Sequence, residues 1–123
     1  MTEELITYET AVLLKSKGFT VPCYEFYLVS TEKLYEDGDI FEKTNHNEFP
    51  DVVSAPKQSV VQKWLREVHK IDVVVLPWKD HAADPGDKHS YRPMIYNVKT
   101  FGEYSTYEKA LEIGILESLK LIK

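Results

Sequence analysis

The fold of this chain is decided by the segment Ser54–Leu76, which has the sequence SAPKQSVVQKWLREVHKIDVVVL. Laid out at 3.6 residues per turn, its first part places six apolar residues on an arc of roughly 140°, opposite a polar side. These apolar residues are Val60, Val61, Trp64, Leu65, Val68 and Ile71. The segment therefore predicts an amphipathic helix that needs a surface to lie on.

Both ends of this helix are marked in the sequence. Ser54 can cap it and Pro56 suits its first turn, so we expect the helix to begin within residues 55–57. The run Ile71–Leu76 is rich in β-branched residues, which is typical of a strand covered on at least one face. A central strand is therefore predicted directly after the helix.

The amino-terminal part predicts a helix, a strand and a short hairpin. Thr7 can cap a first helix over residues 8–17, and Gly18 suits its end. The aromatic-rich segment Cys23–Val29 predicts a strand. Asp37-Gly38 between residues 34–35 and 40–41 is the signal of a type I′ turn, so a small edge hairpin is expected there.

The carboxyl-terminal part predicts a strand and a helix. Met94–Phe101 alternates in polarity and is expected to pair antiparallel with Ile71–Leu76. Ser105 and Glu108 have capping-box spacing, and the helix that they open is expected to run close to the end. Small residues recur at every fourth position of this helix, which predicts a close packing contact; they are Ala110, Gly114 and Ser118.

The predicted order is α-β-(ββ)-α-β-β-α, with three helices packed on a small, mainly antiparallel sheet. This is the α+β class. With 123 residues and no linker, we expect one domain over residues 1–123.

Composition narrows the class of partner. The formal charge is −5, whereas binding to nucleic-acid phosphates usually needs a clustered basic face, so nucleic acid is not favoured as a partner. Cys23 is the only cysteine, which favours a reducing compartment. The start of the sequence lacks signal-peptide regions and no apolar run has membrane-spanning length. A cytoplasmic protein that does not enter membranes is expected.

The long unpatterned stretch over residues 79–93 is the first candidate site. It carries donors for a zinc site of mixed ligands, namely Asp80, His81, Asp84, Asp87 and His89. An EF-hand is excluded because Tyr91 stands where the closing Glu should be. The alternative is a solvated loop that uses Asp, Pro and Gly for turns.

Aromatic residues suggest a second candidate site. Their number exceeds what one small core readily absorbs, and tyrosine at a surface is suited to recognition. Tyr91 and Tyr96, together with Arg92 and Arg66, are the predicted ligand-binding residues, because arginine can hold a phosphate or carboxylate beside such rings. The alternative is that most rings line the sheet.

Catalytic motifs known from other enzymes do not occur in this sequence. It has no glycine-rich phosphate loop, no nucleophile elbow and no paired His-Glu helix motif. Nothing in the spacing brings Cys23 and His69 together as a nucleophile and its base. We therefore predict no catalytic residue, and the sequence assigns no cofactor.

Two blocks, residues 54–71 and 107–122, together with Ile6 to Phe19, resemble small uncharacterised proteins of bacteriophages and prophages, as found in gut Bacteroidota and their phages. The resemblance covers roughly half of the chain and leaves the middle outside. It implies a phage origin and action in the host cytoplasm, and it supplies no activity or catalytic residue.

The leading hypothesis is a non-enzymatic accessory phage protein that binds a host protein or a small signalling molecule. The second is a metal-dependent or nucleotide-processing enzyme that uses the 79–93 loop. The third is a virion or assembly component. Ile113 and Leu116 point away from the inner face of the last helix, and they predict self-association, as in a homodimer.

Replacing both His81 and His89 with alanine separates the first two hypotheses. If the loop is a metal-dependent active site, bound metal and turnover are lost together, because each histidine supplies a ligand. Metal content by mass spectrometry and an activity assay are the two measurements. Metal content unchanged by the double substitution would exclude these histidines as ligands.

Overall fold

The computed structural model describes residues 4–36, 43–78 and 90–122 of the chain. It contains three α-helices and six strands among these residues: α1 Tyr8–Ser16, β1 Glu25–Leu28, β2 Leu34–Glu36, β3 Val52–Ser54, α2 Gln58–Val68, β4 Val73–Trp78, β5 Ser90–Ile95, β6 Lys99–Thr100 and α3 Tyr107–Leu121. A short 3₁₀ helix spans His46–Glu48. The predicted α+β class is confirmed.

The strands form two antiparallel three-stranded sheets, in the orders β2-β1-β3 and β4-β5-β6. The order of helices and strands is approximately as predicted, but the strands form two sheets instead of the single sheet that the sequence predicts. The contacts within the chain define two compact units, residues up to Val60 and residues Val61–Ile122, with the boundary inside α2. The expectation of one domain stays a prediction.

The first unit is built on α1 and the β2-β1-β3 sheet. Thr7 caps α1 by accepting from the backbone N–H of Thr10, and Gly18 follows the helix at φ +88°, as predicted. The ring of Tyr8 on α1 meets the ring of Tyr27 on β1 edge-on, with centroids 5.6 Å apart. Fully buried side chains form the core of the unit, including Ile6, Ala11, Leu14 and Phe19.

The predicted hairpin around Asp37-Gly38 is described only in part. Leu34–Glu36 is a strand, and it pairs antiparallel with β1. Residues 37–42 lie outside the described part of the chain, so the second arm stays a prediction. The predicted surface loop over residues 43–51 contains the 3₁₀ helix, and the sequence pattern missed β3 after it.

The second unit packs α3 on the β4-β5-β6 sheet. The predicted antiparallel pairing is confirmed for the start of Met94–Phe101, with Val73 opposite Ile95 and Val74 opposite Met94. Beyond Ile95 the predicted strand is wrong, because the chain turns at residues 96–98 and returns antiparallel to β5 as β6. However, β5 is the middle strand, and β4, which was expected to be central, lies at one edge. The prediction of a loop over residues 79–93 is wrong for residues 90–93, which belong to β5. Residues 79–89 lie outside the described ranges.

Two predicted caps differ from the structure. α3 begins one residue later than the capping box implied, because Thr106 is extended and its side chain accepts from the N–H of Lys109. Ser54 does not cap α2, since it ends β3 and the helix begins at Gln58. On α2, Val61 and Leu65 are fully buried and Trp64 nearly so, whereas Val68 is 58% exposed.

The close contact predicted for the small face of α3 is confirmed at Gly114. A Cβ at this position would stand 2.7 Å from Val73 Cγ1 and 3.3 Å from Pro93 Cβ. Ala110 and Ser118 are also fully buried, and the Ser118 hydroxyl donates to the Gly114 carbonyl. The absence of a side chain at Gly114 therefore sets how closely α3 approaches β4 and β5.

Gly114→Ala is expected to lower the free energy of unfolding by about 1 to 3 kcal/mol, the usual cost of overpacking. At an open helix position the same change would stabilise by about 1 kcal/mol. Urea denaturation measures the difference. Val73→Ala removes the methyl group that is in the way, so Gly114→Ala should cost less in that background. A Gly114→Ala protein as stable as the parent would contradict the close contact.

Candidate functional site

The predicted ligand-binding residues lie in the second unit and do not form one cluster. Tyr91 and Arg92 are neighbours on β5, so their side chains point to opposite faces of the sheet. The Tyr91 backbone exchanges hydrogen bonds of 2.8 and 2.9 Å with Tyr104, and its ring meets Tyr107 edge-on. The Arg92 guanidinium is paired with the Glu103 carboxylate, Nε to Oε1 3.0 Å.

Tyr96 and Arg66 are the other two predicted residues of this set. Tyr96 is 65% exposed in the turn after β5. Five residues separate it from Tyr91, about 17 Å along a strand. Arg66 is exposed on α2. The structure thus brings Tyr91 and Arg92 together only as strand neighbours, and the ligand role of all four residues stays a prediction.

The predicted metal ligands Asp80, His81, Asp84, Asp87 and His89 all lie outside the described residues. Within residues 4–36, 43–78 and 90–122, no three His, Cys, Asp or Glu side chains are grouped as a metal would require. Ile113 and Leu116 are partly exposed on α3, and the oligomer that they suggest stays a prediction. None of the helices in these ranges combines the length and apolar character that crossing a bilayer requires.

A pocket in the first unit is the main candidate site among the described residues. Its centre is Phe26 on β1, which lies opposite Tyr35 on β2 and Ser54 on β3. Directly opposite residues of an antiparallel sheet share one face, so Phe26 and Tyr35 lie on the same side. Their rings stack with centroids 6.0 Å apart and planes at 22°. The imidazole of His46 also packs on the Phe26 ring, with the two ring centroids 4.6 Å apart.

The 3₁₀ helix is fixed to the sheet by the side chains of His46 and Asn47. His46 Nε2 lies 3.0 Å from the carbonyl of Cys23 and donates to it, since the carbonyl oxygen can only accept. Asn47 donates from Nδ2 to the Phe19 carbonyl at 2.9 Å and accepts from the Ser54 N–H at 2.8 Å. These bonds hold His46 against Phe26, and its exposed fraction is only 6%.

The resulting pocket has a volume of about 470 Å³ and is open to solvent on one side. Its lining includes the apolar or aromatic residues Phe26, His46, Phe49 and Val52 and the acidic residues Glu36 and Asp51. The Phe49 side chain is 51% exposed. A large ring that remains in contact with water at the mouth of a pocket can be covered by a ligand without unfolding anything.

Negative charge is concentrated in the unit that holds the pocket. Residues 1–60 carry eleven Asp and Glu against five Lys, a formal charge of −6, whereas residues 61–123 carry nine against ten Lys and Arg. Neither Glu36 nor Asp51 forms an ion pair with any other described residue. Within the described ranges, a ligand would therefore displace no ionic partner from either carboxylate.

Two lysines of the first unit, Lys15 and Lys43, have contacts with other groups. The Lys15 ammonium donates to the carbonyls of Phe49 at 2.5 Å and of Val52 at 2.9 Å, and Lys15 does not line the pocket. The Lys43 ammonium lies 5.4 Å from the centre of the Tyr24 ring. Neither ammonium forms an ion pair with a described carboxylate, but each keeps its positive charge, and that of Lys15 lies beside the backbone of the pocket residues Phe49 and Val52.

A second cavity, of about 190 Å³, lies beside Cys23 and includes Tyr24, Lys43 and Lys57 in its wall. The thiol is 8% exposed and donates to the Glu25 carbonyl at 3.2 Å. Burial raises the pKa of the Cys23 thiol above its ordinary value. The imidazole of His46 bonds to the backbone carbonyl of Cys23 and not to the sulfur.

The side chains around the first pocket can be predicted only in part from the sequence. Phe26 and Tyr35 belong to the surplus of aromatic residues, but their stacking depends on the register of β1 against β2. His46 and Phe49 lie in a segment without periodicity. The one local signal is Asn45, which caps the 3₁₀ helix by accepting from the N–H of Asn47.

The raised pKa of Cys23 predicts slow alkylation that accelerates only above the pH at which an ordinary thiol ionises. The folded protein keeps the thiol proton to a higher pH than the unfolded chain, so stability falls as pH rises past the ordinary thiol pKa. Unfolding free energies of the parent and of Cys23→Ala, measured across that pH range, isolate this contribution. Parallel pH profiles for the two proteins would contradict it.

Comparisons with models of protein families, with curated proteins and with solved structures give no match to this chain.

Proposed function

We propose that this chain is a non-catalytic accessory protein of phage type that acts in the host cytoplasm by binding a host protein or a small signalling molecule. The observation that carries the proposal is the open aromatic pocket of the first unit. Phe26, His46 and Phe49 line one concave surface, and hydrogen bonds from His46 and Asn47 fix its wall. A preformed concave surface with exposed aromatic area is typical of a binding site.

The exposed ring of Phe49 supports this reading further. Aromatic side chains that stay partly in water are enriched where proteins meet partners, because covering them removes a large apolar area from solvent. At about 25 cal/mol per Å², covering even 50 Å² of such a ring contributes on the order of 1 kcal/mol. A pocket that offers the half-exposed ring of Phe49 beside the partly exposed ring of Phe26 can thus contribute usefully to affinity.

The other two hypotheses have no specific support among the described residues. The metal-dependent or nucleotide-processing enzyme depends on residues 80–89, which lie outside them. The virion or assembly component depends on Ile113 and Leu116, which are only partly exposed on α3. Both hypotheses stay predictions.

The test is the native mass spectrum of the protein recovered gently from host cytosol, before and after denaturation. We expect the parent to carry an added mass, either a protein or a small molecule, that disappears on denaturing. Phe49→Ala should lose most of it, because the substitution removes the exposed wall of the pocket. It should still fold, since the Phe49 side chain is half in water.

Tyr96→Ala is the matched control, because it removes an aromatic ring that is 65% exposed in the second unit. This variant should retain the added mass. A bare parent protein would count against a binding role, and an added mass that survives in Phe49→Ala would exclude the pocket as the site. Loss in Tyr96→Ala with retention in Phe49→Ala would instead favour the predicted site in the second unit.

A further inference from the structure

We infer that the aromatic pocket receives the side chain of an arginine from a basic segment of the partner protein. The inference rests on the proposed binding function and names the chemical group that the same pocket recognises. It is drawn from three features of the first unit: the arrangement of the rings, the unpaired carboxylates and the open shape of the pocket.

The rings offer a surface on which a planar cation can stack. Phe26 contacts the ring of Tyr35, which does not line the pocket, and the imidazole of His46, at 6.0 and 4.6 Å between centroids. Phe49 adds a further exposed ring to the pocket. Aromatic faces carry partial negative charge, and a guanidinium group stacks on them more readily than a hydrated ammonium does.

The carboxylates supply the charge that a cation needs. Glu36 and Asp51 line the same pocket as Phe26 and Phe49, and neither is paired with another described residue. A carboxylate can accept two parallel hydrogen bonds from the guanidinium fork, which makes an arginine–carboxylate pair stronger and more directional than a lysine–carboxylate pair. Rings and carboxylates together therefore select a planar cation over an anion or a neutral apolar group.

The shape of the pocket favours a side chain attached to a protein over a free small cation. Small-molecule sites bury most of their ligand's surface, whereas this pocket of about 470 Å³ is open along one side. A side chain that enters from that side can leave its backbone outside. The formal charge of −6 on residues 1–60 would also attract a basic segment during encounter.

The test uses two capped peptides, Gly-Ser-Arg-Gly-Arg-Ser-Gly and its twin with citrulline in place of both arginines. Citrulline keeps the shape of the side chain and removes its charge. Binding to the full-length protein is followed by NMR, through the signals of Phe26, His46 and Phe49. The arginine peptide should shift these signals, with an affinity that falls as salt is added, and the citrulline peptide should not.

Variants then assign the contacts. Phe49→Ala should weaken binding of the arginine peptide about three- to fivefold, the usual effect of one exposed cation–π contact. Glu36→Gln and Asp51→Asn should each weaken it about two- to fivefold and reduce its dependence on salt. Glu48→Gln is the matched control for charge, because Glu48 is exposed on the 3₁₀ helix and does not line the pocket, and it should leave the affinity nearly unchanged.

Three results would overturn the inference: equal binding of the citrulline peptide, shifts confined to residues outside the pocket, and the absence of any shift with the arginine peptide. Equal or tighter binding of a matching lysine peptide would show that charge alone is recognised and that the guanidinium is not. None of these results tests the proposed binding function, which is tested separately by the mass measurement on Phe49→Ala. The two proposals can therefore fail independently.

Discussion

The first unit depends on the way in which two consecutive side chains, His46 and Asn47, hold a single turn of 3₁₀ helix on a small sheet. Three strands of three or four residues have few ladder hydrogen bonds of their own. His46 and Asn47 add side-chain bonds to Phe19 after α1, to Cys23 just before β1 and to Ser54 on β3. Without them, the wall that faces Phe26 would have no fixed position.

The same bonds explain why the pocket stays open although aromatic side chains line it. An imidazole that donates to a backbone carbonyl is held at one orientation, so its ring packs on Phe26 and leaves the space beyond Phe26 open. Phe49, directly after the 3₁₀ helix, remains half in water. The exposure of this ring lowers stability slightly and leaves apolar area for a partner to cover.

The second unit shows which parts of a fold can be predicted from patterns in the sequence. Helix periodicity located α2 and α3, and the spacing of Ala110, Gly114 and Ser118 correctly predicted a close approach, because both follow from the geometry of one helix. The strand over residues 90–93 was missed because Pro93 normally argues against a middle strand. Pro93 fits in this strand because it lies opposite Val75 at a position where the ladder between β4 and β5 needs no N–H from Pro93. The Pro93 carbonyl points to the other side of β5 and accepts from the N–H of Phe101.

The candidate site was less predictable than the fold for a related reason. A pocket wall made of Phe26, His46 and Phe49 requires the register of three strands and the position of a turn, and neither leaves a period in the sequence. Aromatic surplus and negative charge were visible, but their placement on one face was not. Local rules describe what one segment does, whereas the site arises where several short segments meet.

The edge strand β4 carries a consequence for how the protein behaves at high concentration. The backbone N–H and C=O of Tyr91 bond to Tyr104, so they do not bond to Pro77, which lies opposite Tyr91 on β4. The backbone of Pro77 therefore turns its polar side away from β5, and on that side a proline has no N–H to donate. At the other end of the same edge, the side chain of Gln62 already occupies the carbonyl of Val73 at 2.7 Å. A strand from another molecule would find one missing donor and one occupied acceptor, which discourages the sheet-to-sheet addition that leads to aggregates and fibrils.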